Sequence, residues 1–453
     1  MKKILIRAHM SPFDNLDAAS VLQHDRIGTN AGNMIFINSI MRALMTEDVQ
    51  IDTFNTRRDL TAEMVERINA EYSFVVLPFA NAFRPSFQRE LQKITGFVKK
   101  LKVPCVVIGT GISATYTSPL KEENSFDGTV REFVRTILDK SAIIGTRGEE
   151  TSAYLTRLGF KEGTHHRVIG CPSMFWYGEK LPQIEKKELT KDSPVSINWK
   201  IDLPEPIHAF MRSNVCRFEN FQYVPQITDE IRLMYYGTPF PQGKYKKITD
   251  QYPAQACHPW YLQDRARAFI NVPSWFDYLS QKELSFGSRI HGNIAALLAG
   301  TPAYVIVSDY RISELVRYHN IPHINYQDLK EDDTIFSLYD RADYTRLQEG
   351  HRERFENYKS FLEENGLAHT FDMEPSAPRP YDRKMQELSL QPALTPFFSA
   401  SSEEQARRLA ELQRDQEALR QKYDELKSME MLLKLKRMYK SANRILEKLV
   451  KKK

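Results

Sequence analysis

Short apolar runs alternate with amphipathic stretches of helical length along most of the chain. Before residue 180 the runs are KILIRA (3–8), FVVLPF (74–79), PCVVIGTG (104–111), AIIG (142–145) and RVIG (167–170). Continuous runs of this kind are typical of strands buried on both faces of a parallel sheet. The segments 32–44 and 149–160 have the length and pattern of intervening helices. The alternation predicts a doubly wound, Rossmann-like α/β domain over residues 1–180.

A polar, Pro-containing segment over 181–194 predicts a linker, and a second alternating series follows it. The predicted strands of this series are SINWKI (196–201), FQYVPQ (221–226), ELSFG (283–287) and AYVIV (303–307). Helices are predicted at 226–235, 290–299, 311–319 and 340–366, the last either closing this domain or crossing back to the first. We therefore expect a second Rossmann-like domain over 195–370, with ligands bound between the two near the carboxyl ends of their strands.

The alternation ends after residue 370. Pro-containing stretches predict a linker over 371–400, and a long basic helix is predicted over 401–453. Leucines recur in this helix at seven-residue spacing, at Leu412, Leu419, Leu426 and Leu433. Of the matching positions three residues before them, two are apolar or aromatic (Leu409 and Tyr423) and two are not (Gln416 and Glu430), which favours a short, imperfect coiled coil. Beyond Met431 an apolar stripe lies opposite a Lys/Arg cluster. Such a helix could lie on the anionic inner face of a membrane, or pack on its own domain or on a second copy in a homodimer.

Composition and charge exclude several classes. Hydrophobic residues make up 42% of the chain and aromatic residues 11%, as in globular proteins. The four cysteines have no CxxC spacing, which argues against a zinc site or a disulfide framework and suits the cytosol. Neither a signal-peptide pattern nor a membrane-spanning run is present. Residues 434–453 carry nine Lys/Arg and one Glu, so the rest of the chain has a net charge of −3, which does not suit nucleic acid binding.

The strongest candidate site is the strand-to-helix turn in LSFGSRIHGNIAALLAG (284–300). Such a turn directs free backbone N–H groups and the positive end of the helix dipole at one spot, which favours anions. Four residues lie on this turn: Ser288, Arg289, His291 and Gly292. Arg289 adds a guanidinium fork for carboxylate or phosphate, and His291 adds a group that titrates near neutral pH. Alternatively, Arg289 pairs with a nearby carboxylate and His291 only begins the helix.

Two more arginines follow predicted strands. Arg147 lies on the turn of IIGTRGEETSAYLTRLGF (143–160), where it could project at the sheet edge or pair with Glu149 or Glu150. Arg311 lies in DYR (309–311), where it could join the same site or pair with Glu314.

The loop HDRIGTNAGN (24–33) precedes the first long helix, and its glycines permit close approach of a ligand to the backbone. It lacks the complete GxGxxG pattern, so it supports dinucleotide binding only weakly.

Taken together, strand–SRIHG–helix–LLAGTP–strand–DYR, preceded by TRGEETS and RVIGCPS, resembles the polysaccharide pyruvyltransferase family. FQYVPQITDE (221–230) is similar to the family's mid-domain segment, and the resemblance covers roughly residues 20–330. The amino-terminal N-x-G-N matches the family's N-x-G-D except at Asn33, and LPFANAF (77–83) lacks the usual Gly-rich turn. Both departures fall in the first domain, so they concern the acceptor more than the donor. The candidate acceptor-side residues are Asn30, Gly32 and Asn33 of the amino-terminal loop.

The resemblance implies a glycosyltransferase-B-like pair of domains that uses phosphoenolpyruvate as co-substrate to place pyruvate ketals on a sugar. Carried over residue by residue, the resemblance places Arg147 and Arg289 at donor-binding positions and His291 at the catalytic position. Further candidates for donor binding are Ser288 and Gly292, on the same turn as Arg289, and Arg311. A histidine suits general acid/base work, arginines suit carboxylate and phosphate, and the reaction does not demand a metal or a cofactor. The acceptor would be a saccharide, and the tail would suit one that is lipid-linked. The competing hypotheses are a nucleotide-sugar glycosyltransferase of the same architecture and a non-catalytic scaffold.

Overall fold

The computed structural model describes residues 1–113, 122–245, 252–374 and 377–450, with side chains of the last helix described through Ser428 and at Met431. The chain forms two compact units, one ending at Ser399 and the other beginning at Ala400. The first unit contains a sheet with strand order β2-β1-β3-β4. Its strands are β1 (Lys2–Arg7), β2 (Val49–Phe54), β3 (Phe74–Pro78) and β4 (Cys105–Ile108).

A short strand pair, β5 (Ile144–Thr146) and β6 (His166–Val168), continues this sheet. The Thr110 N–H donates to the Gly145 carbonyl at 3.0 Å, and the Arg147 N–H donates to the Thr110 carbonyl at 2.8 Å. The β5 strand thus lies beside the extension of β4, and Arg147 follows it directly at its carboxyl end.

A second sheet has the order β11-β10-β9-β7-β8, and every pairing in both sheets is parallel. Its strands are β7 (Val195–Asn198), β8 (Phe221–Tyr223), β9 (Leu284–Gly287), β10 (Ala303–Val307) and β11 (His323–Asn325). Counted from its own first strand, the first sheet runs 2-1-3-4 and the second runs 2-1-3-4-5, so in each the strand order reverses between the first and third strands. Ligands bind at such a reversal, beyond the carboxyl ends of the strands. These sheets confirm the predicted fold class, two doubly wound Rossmann-like sheets with a C-terminal helical extension.

Helices connect and cover the strands, and those expected at 32–44, 149–160, 226–235, 290–299 and 311–319 are present within a few residues. The helices are α1 (Ala18–Gln23), α2 (Gly32–Leu44), α3 (Ala62–Glu71), α4 (Gln88–Val98), α5 (Asp127–Leu138), α6 (Glu149–Arg157), α7 (Glu205–Val215), α8 (Thr228–Tyr236), α9 (Pro259–Leu262), α10 (Val272–Leu279), α11 (Ile290–Leu298), α12 (Tyr310–Tyr318), α13 (Ile335–Arg341), α14 (His351–Glu364), α15 (Pro380–Gln386) and α16 (Ser402–Val450).

The predicted single helix over 340–366 is wrong. The α13 helix ends at Arg341, and α14 begins only after Gly350, whose φ of +64° is a left-handed conformation that glycine adopts readily. The α14 helix crosses back to the first sheet, which was one of the two predicted courses. There the Asn365 side-chain oxygen accepts hydrogen bonds from the N–H groups of Ala142 and Ile143, at 3.1 and 3.3 Å.

The segment over 371–399 is not a free linker, contrary to the sequence prediction. Tyr381 is fully buried and contacts the Phe13 and Trp176 rings. Leu394 pairs with Ala268 through two antiparallel backbone hydrogen bonds, at 2.8 and 3.1 Å. The Pro-containing sequence here forms the short helix α15 and packs against the rest of the first unit, so the segment belongs to that unit. The division of that unit into domains at 180 and 195 stays a prediction.

The second unit consists mainly of α16. Several predicted coiled-coil positions are exposed in the single chain: Leu409, Leu419, Tyr423 and Leu426. The basic side chains from Lys434 onwards lie outside the described residues, so both interpretations of the tail stay predictions. In the described part of the chain, no helix is long and apolar enough to cross a membrane.

The Arg42–Asp382 pair joins the segment over 371–399 to α2. Both Asp382 oxygens accept from the Arg42 guanidinium at 2.7 Å, and the arginine is buried. We expect Asp382→Asn to lower the free energy of unfolding by about 2–4 kcal/mol in urea denaturation, because it leaves a buried cation unpaired. The matched control is Glu47→Gln, which removes the partner of the solvent-exposed Arg383 and should cost about 1 kcal/mol or less. Equal losses would show that the Asp382 contact does not anchor the segment.

Candidate active site

The turn after β9 is held by two buried asparagines. The Ser288 N–H donates to the Asn198 backbone carbonyl at 2.9 Å, and the Arg289 N–H donates to the Asn198 side-chain oxygen at 2.8 Å. The Asn198 amide in turn donates to the Asn293 side chain on α11, at 2.9 Å. Gly287 has a φ of +141°, and a Cβ there would lie 1.8 Å from the Asn198 carbonyl oxygen, so no other residue fits. These contacts fix the position of the first turn of α11.

Arg289 pairs with a carboxylate, as the structural alternative for this residue expects. Its Nη2 donates to Glu230 at 2.9 Å, and Glu230 also accepts from the Tyr252 hydroxyl and the Gln226 N–H. Burial is the largest influence on Arg289 and lowers its pKa, but Glu230 together with Tyr252 and Tyr223 outweighs burial and raises the pKa of Arg289 above its ordinary value. Arg289 is therefore a firmly held cation with part of its charge already compensated.

Several polar atoms on this side of the site are buried without a partner in the described residues. They are the Ser288 hydroxyl, Nε of Arg289 and Nε2 of Gln226. Gly292 leaves room for the Gln226 amide, since a Cβ at that position would lie 2.3 Å from it. Each of these groups can donate a hydrogen bond, which suits a ligand rich in acceptor oxygens.

His291 lies in the first turn of α11, against the beginning of α2. A Cβ on Gly32 would lie 2.7 Å from the His291 Cβ, so the two helices meet at a point where only glycine fits. The His291 Nε2 lies 3.7 Å from the Cys171 sulfur, and the Phe36 ring is 6.4 Å away, centroid to centroid. Burial, reinforced by the Arg147 and Arg311 cations, lowers the pKa of His291 well below its ordinary value. The imidazole is therefore neutral at pH 7.

Arg147 extends from the end of β5 into the same region. Its side chain is 1% exposed and lies over the Phe36 ring, 5.3 Å from the centroid. Its Nε and Nη2 atoms are buried without a hydrogen-bond partner in the described residues. It pairs with neither Glu149 nor Glu150, since Glu150 forms an ion pair with Arg317. Burial lowers the pKa of Arg147 from its ordinary value.

Arg311, at the beginning of α12, lies near this cluster but does not pair with Glu314 as the alternative expected. It lies 3.6 Å from Asp309 instead. Glu314 accepts hydrogen bonds from the N–H and hydroxyl of Thr151, in the first turn of α6. Burial raises the pKa of Glu314 to about 7, against the opposing effects of Thr151 and Arg147.

The amino-terminal loop over 24–33 lies beside the turn after β9, but the side chains of Asn30 and Asn33 form hydrogen bonds within the loop itself. Gly32 contacts His291, whereas the Asn30 backbone pairs with Ile227 and the Asn30 side chain accepts from the Gly32 N–H. The Asn33 amide donates to the carbonyls of Ile27 and Gly28, at 3.2 and 2.9 Å. An ionised aspartate cannot donate these two bonds, which accounts for asparagine at this position.

A family model described as polysaccharide pyruvyl transferase matches residues 81–310, just over half of the chain. The chain belongs to this family. The match includes β5 with Arg147, the turn with Arg289 and His291, and the Glu230 segment, and it ends at residue 310, just before Arg311.

Likeness to solved structures is remote. A putative UDP-N-acetylglucosamine 2-epimerase from Listeria monocytogenes has a TM-score of 0.40 and 10% identity, covering 82% of this chain and 93% of its own. The UDP-GlcNAc 2-epimerase from Neisseria meningitidis has a TM-score of 0.38 and 9% identity, covering 80% and 99%. Likeness at this level carries no conclusion about what the chain does. A comparison with curated protein sequences finds no match.

In this pyruvyl transferase family member, the structure adds residues that the sequence did not single out. Lys200, two residues after β7, is a further cation: burial and the neighbouring Arg311 lower its pKa. Phe36 and Cys171 contact the Arg147–His291 pair, and Asn198 holds the turn. In the sequence, Asn198 could have been noticed as a polar residue within the buried run SINWKI (196–201).

The depressed pKa of His291 gives a stability prediction. Below about pH 6.5 the unfolded chain binds a proton at this histidine and the folded protein does not, so wild type loses stability as pH falls. His291→Gln lacks that loss. From pH 7.5 to 5.5, we expect urea denaturation to show a drop in stability larger in wild type than in the variant, by about 1 kcal/mol. Parallel losses in the two proteins would mean that His291 titrates normally.

Proposed function

We propose that this family member transfers pyruvate from phosphoenolpyruvate to two hydroxyl groups of a saccharide, forming a cyclic ketal during the synthesis of a cell-surface polysaccharide. The acceptor is a saccharide, and phosphoenolpyruvate is a co-substrate rather than a resident cofactor. The reaction takes place on the cytoplasmic side, where phosphoenolpyruvate is made.

The observation that carries the proposal is the uncompensated charge of Arg147 beside a neutral histidine. A buried guanidinium without a counter-charge is costly, by several kcal/mol, unless an anion completes it. The two unpartnered nitrogens of Arg147 offer a bidentate donor. Single donors come from Nε of Arg289 and from the nearby Arg311. A carboxylate and a phosphate require donors of both kinds. Phosphoenolpyruvate carries both groups on one small molecule.

The chemistry balances without another reactant. A proton is added to the methylene carbon of phosphoenolpyruvate, which leaves the neighbouring carbon electrophilic. One sugar hydroxyl attacks that carbon and loses its proton. A second hydroxyl then displaces phosphate, and the proton of this hydroxyl passes to the leaving group, which departs as inorganic phosphate. The products are one ketal and one phosphate.

His291 is the residue we assign to the proton transfers. Its pKa is depressed by burial and by Arg147 and Arg311, so a bound anion that neutralises these arginines raises the pKa. Donor binding thus favours the imidazolium form, which can deliver a proton to carbon. The neutral imidazole left behind can accept the proton of the attacking hydroxyl.

Arg147→Met tests the donor assignment. We expect the variant to melt at a higher temperature than wild type without ligand, since an apolar side chain replaces an uncompensated buried charge. We also expect millimolar phosphoenolpyruvate to raise the melting temperature of wild type but not that of the variant. Differential scanning fluorimetry measures both.

The control is Arg135→Gln, which removes an exposed arginine of α5 and should keep the full phosphoenolpyruvate shift. A shift in wild type with UDP-glucose and none with phosphoenolpyruvate would contradict the proposal and favour a nucleotide-sugar glycosyltransferase. No shift with either ligand would favour a scaffold.

His291→Gln tests the catalytic assignment. Loss of a general acid/base lowers turnover by about 10²- to 10⁴-fold, so we expect phosphate release from phosphoenolpyruvate with acceptor to fall by that factor. The phosphoenolpyruvate melting shift should remain, because the arginines are intact. Near-normal turnover in the variant would exclude the role of His291.

A further inference from the structure

A second basic site lies at the strand-order reversal of the first sheet. A cavity of about 400 Å³ opens beyond the carboxyl ends of β1 and β3, within the size range of small-ligand sites. Four arginines line it, together with one histidine and one carboxylate: Arg7, Arg57, Arg84, Arg311, His9 and Glu90. None of the first three arginines was a candidate from the sequence.

Arg7 and Arg84 are held in place by neutral groups. Arg7 donates to the Thr56 hydroxyl at 3.1 Å and to the Pro78 carbonyl at 3.3 Å. Arg84 donates to the Asn81 carbonyl at 2.7 Å and to the Ser86 hydroxyl at 3.0 Å. These bonds fix both guanidinium groups without cancelling their charge.

The charges in the cavity repel one another. Burial lowers the pKa of Arg7 to about 10, with Glu90 opposing the shift and Arg57 and Arg84 adding to it. Burial also lowers the pKa of Arg84, and Arg311 and Arg57 add to that shift. Like charges this close cost free energy, which an anion in the cavity recovers.

The cavity adjoins the proposed donor site without coinciding with it. Phe36 and Arg311 line the cavity, and Phe36 lies between it and the Arg147–His291 pair. Arg147, Arg289 and His291 are not among the residues that line it. A ligand in the cavity would therefore lie next to a donor bound at Arg147.

We propose that this cavity binds the saccharide acceptor through an anionic group on it, a carboxylate or a phosphate ester, held by Arg7 and Arg84. Glu90, whose Oε1 is buried without a partner in the described residues, accepts a hydrogen bond from a sugar hydroxyl. The identity of the ligand as acceptor rests on the proposed function, whereas the anion site itself does not.

Binding of three probes tests the site: glucose 1-phosphate, glucuronic acid and glucose, titrated calorimetrically into the full-length protein. We expect at least one anionic probe to bind wild type more tightly than glucose, and about tenfold or more weakly to Arg84→Gln. Binding of the phosphate alone assigns a phosphate ester to the acceptor, and binding of the uronic acid alone assigns a carboxylate. Arg7→Gln is the second variant, and Arg89→Gln, an exposed arginine of α4, is the control that should bind like wild type.

Melting temperatures of all variants show whether each is folded. Equal binding by glucose and the anionic probes, or unchanged binding in both Arg84→Gln and Arg7→Gln, would overturn the anion site. Loss of the phosphoenolpyruvate shift in Arg84→Gln would overturn the acceptor assignment, because the cavity would then be the donor site. Persistent probe binding in a protein that shows no phosphoenolpyruvate shift would leave the cavity standing while the proposed function fails.

Discussion

The burial of positive charge without a counter-charge is the constraint on which this site depends. Taking an ion out of water costs several kcal/mol unless partners replace the water. Arg289 has such a partner in Glu230, whereas Arg147 has the face of Phe36 and the longer-range influence of Cys171, Glu314 and Asp309. Arg289 is thus held in an ion pair, and Arg147 is the residue that we propose binds an anion. Where a buried charge lacks a counter-charge, binding of an anion also raises the stability of the folded chain.

The two sheets share one topology, which explains why basic side chains lie at two separate sites. Each sheet reverses its strand order between its first and third strands, and each reversal opens a crevice at the carboxyl edge. Arg7 lies at the first reversal, and Lys200 and Arg289 lie at the second. Arg147 and Arg311 follow outer strands and lie near the region between them. Two ligands that meet during a transfer reaction can therefore approach from two halves of the molecule.

The sequence predicted the fold well because buried parallel strands leave a clear signal. Apolar runs bounded by Pro and Gly located nine of the eleven strands in the described residues, and the turn with His291 followed from them. The strands β2 and β11 were not predicted, since neither is a continuous apolar run. The breaks at Thr345–Leu347 and Gly350 were missed because a single internal glycine lies in a segment otherwise rich in helix-forming residues. The packing of the segment over 371–399 depends on contacts with residues hundreds of positions away, such as Arg42.

Charge pairing was the least predictable feature of the site. The Glu230 partner of Arg289 lies 59 residues upstream, and Glu314 binds Thr151 rather than the arginine three residues before it. From local spacing we expected Arg147 to pair with Glu149 or Glu150, and Arg311 to pair with Glu314. In the folded chain, two nitrogens of Arg147 have no hydrogen-bond partner in the described residues, and Arg311 lies beside Asp309. The arginines of the cavity beyond β1 and β3 were missed for the same reason, since Arg7 ends β1 whereas Arg57 and Arg84 come from separate loops.

The crossing of α14 to the first sheet, together with the packing of 371–399 on α2, has a consequence for protein engineering. Segments from both ends of the first unit contact the first sheet and its helices, and the second sheet is formed by residues that lie between them in the sequence. A chimera meant to exchange the first sheet between relatives must therefore transplant residues 1–180 together with the region from His351 to Ser399. A cut over 181–194 alone would separate β5 from Asn365 and Arg42 from Asp382.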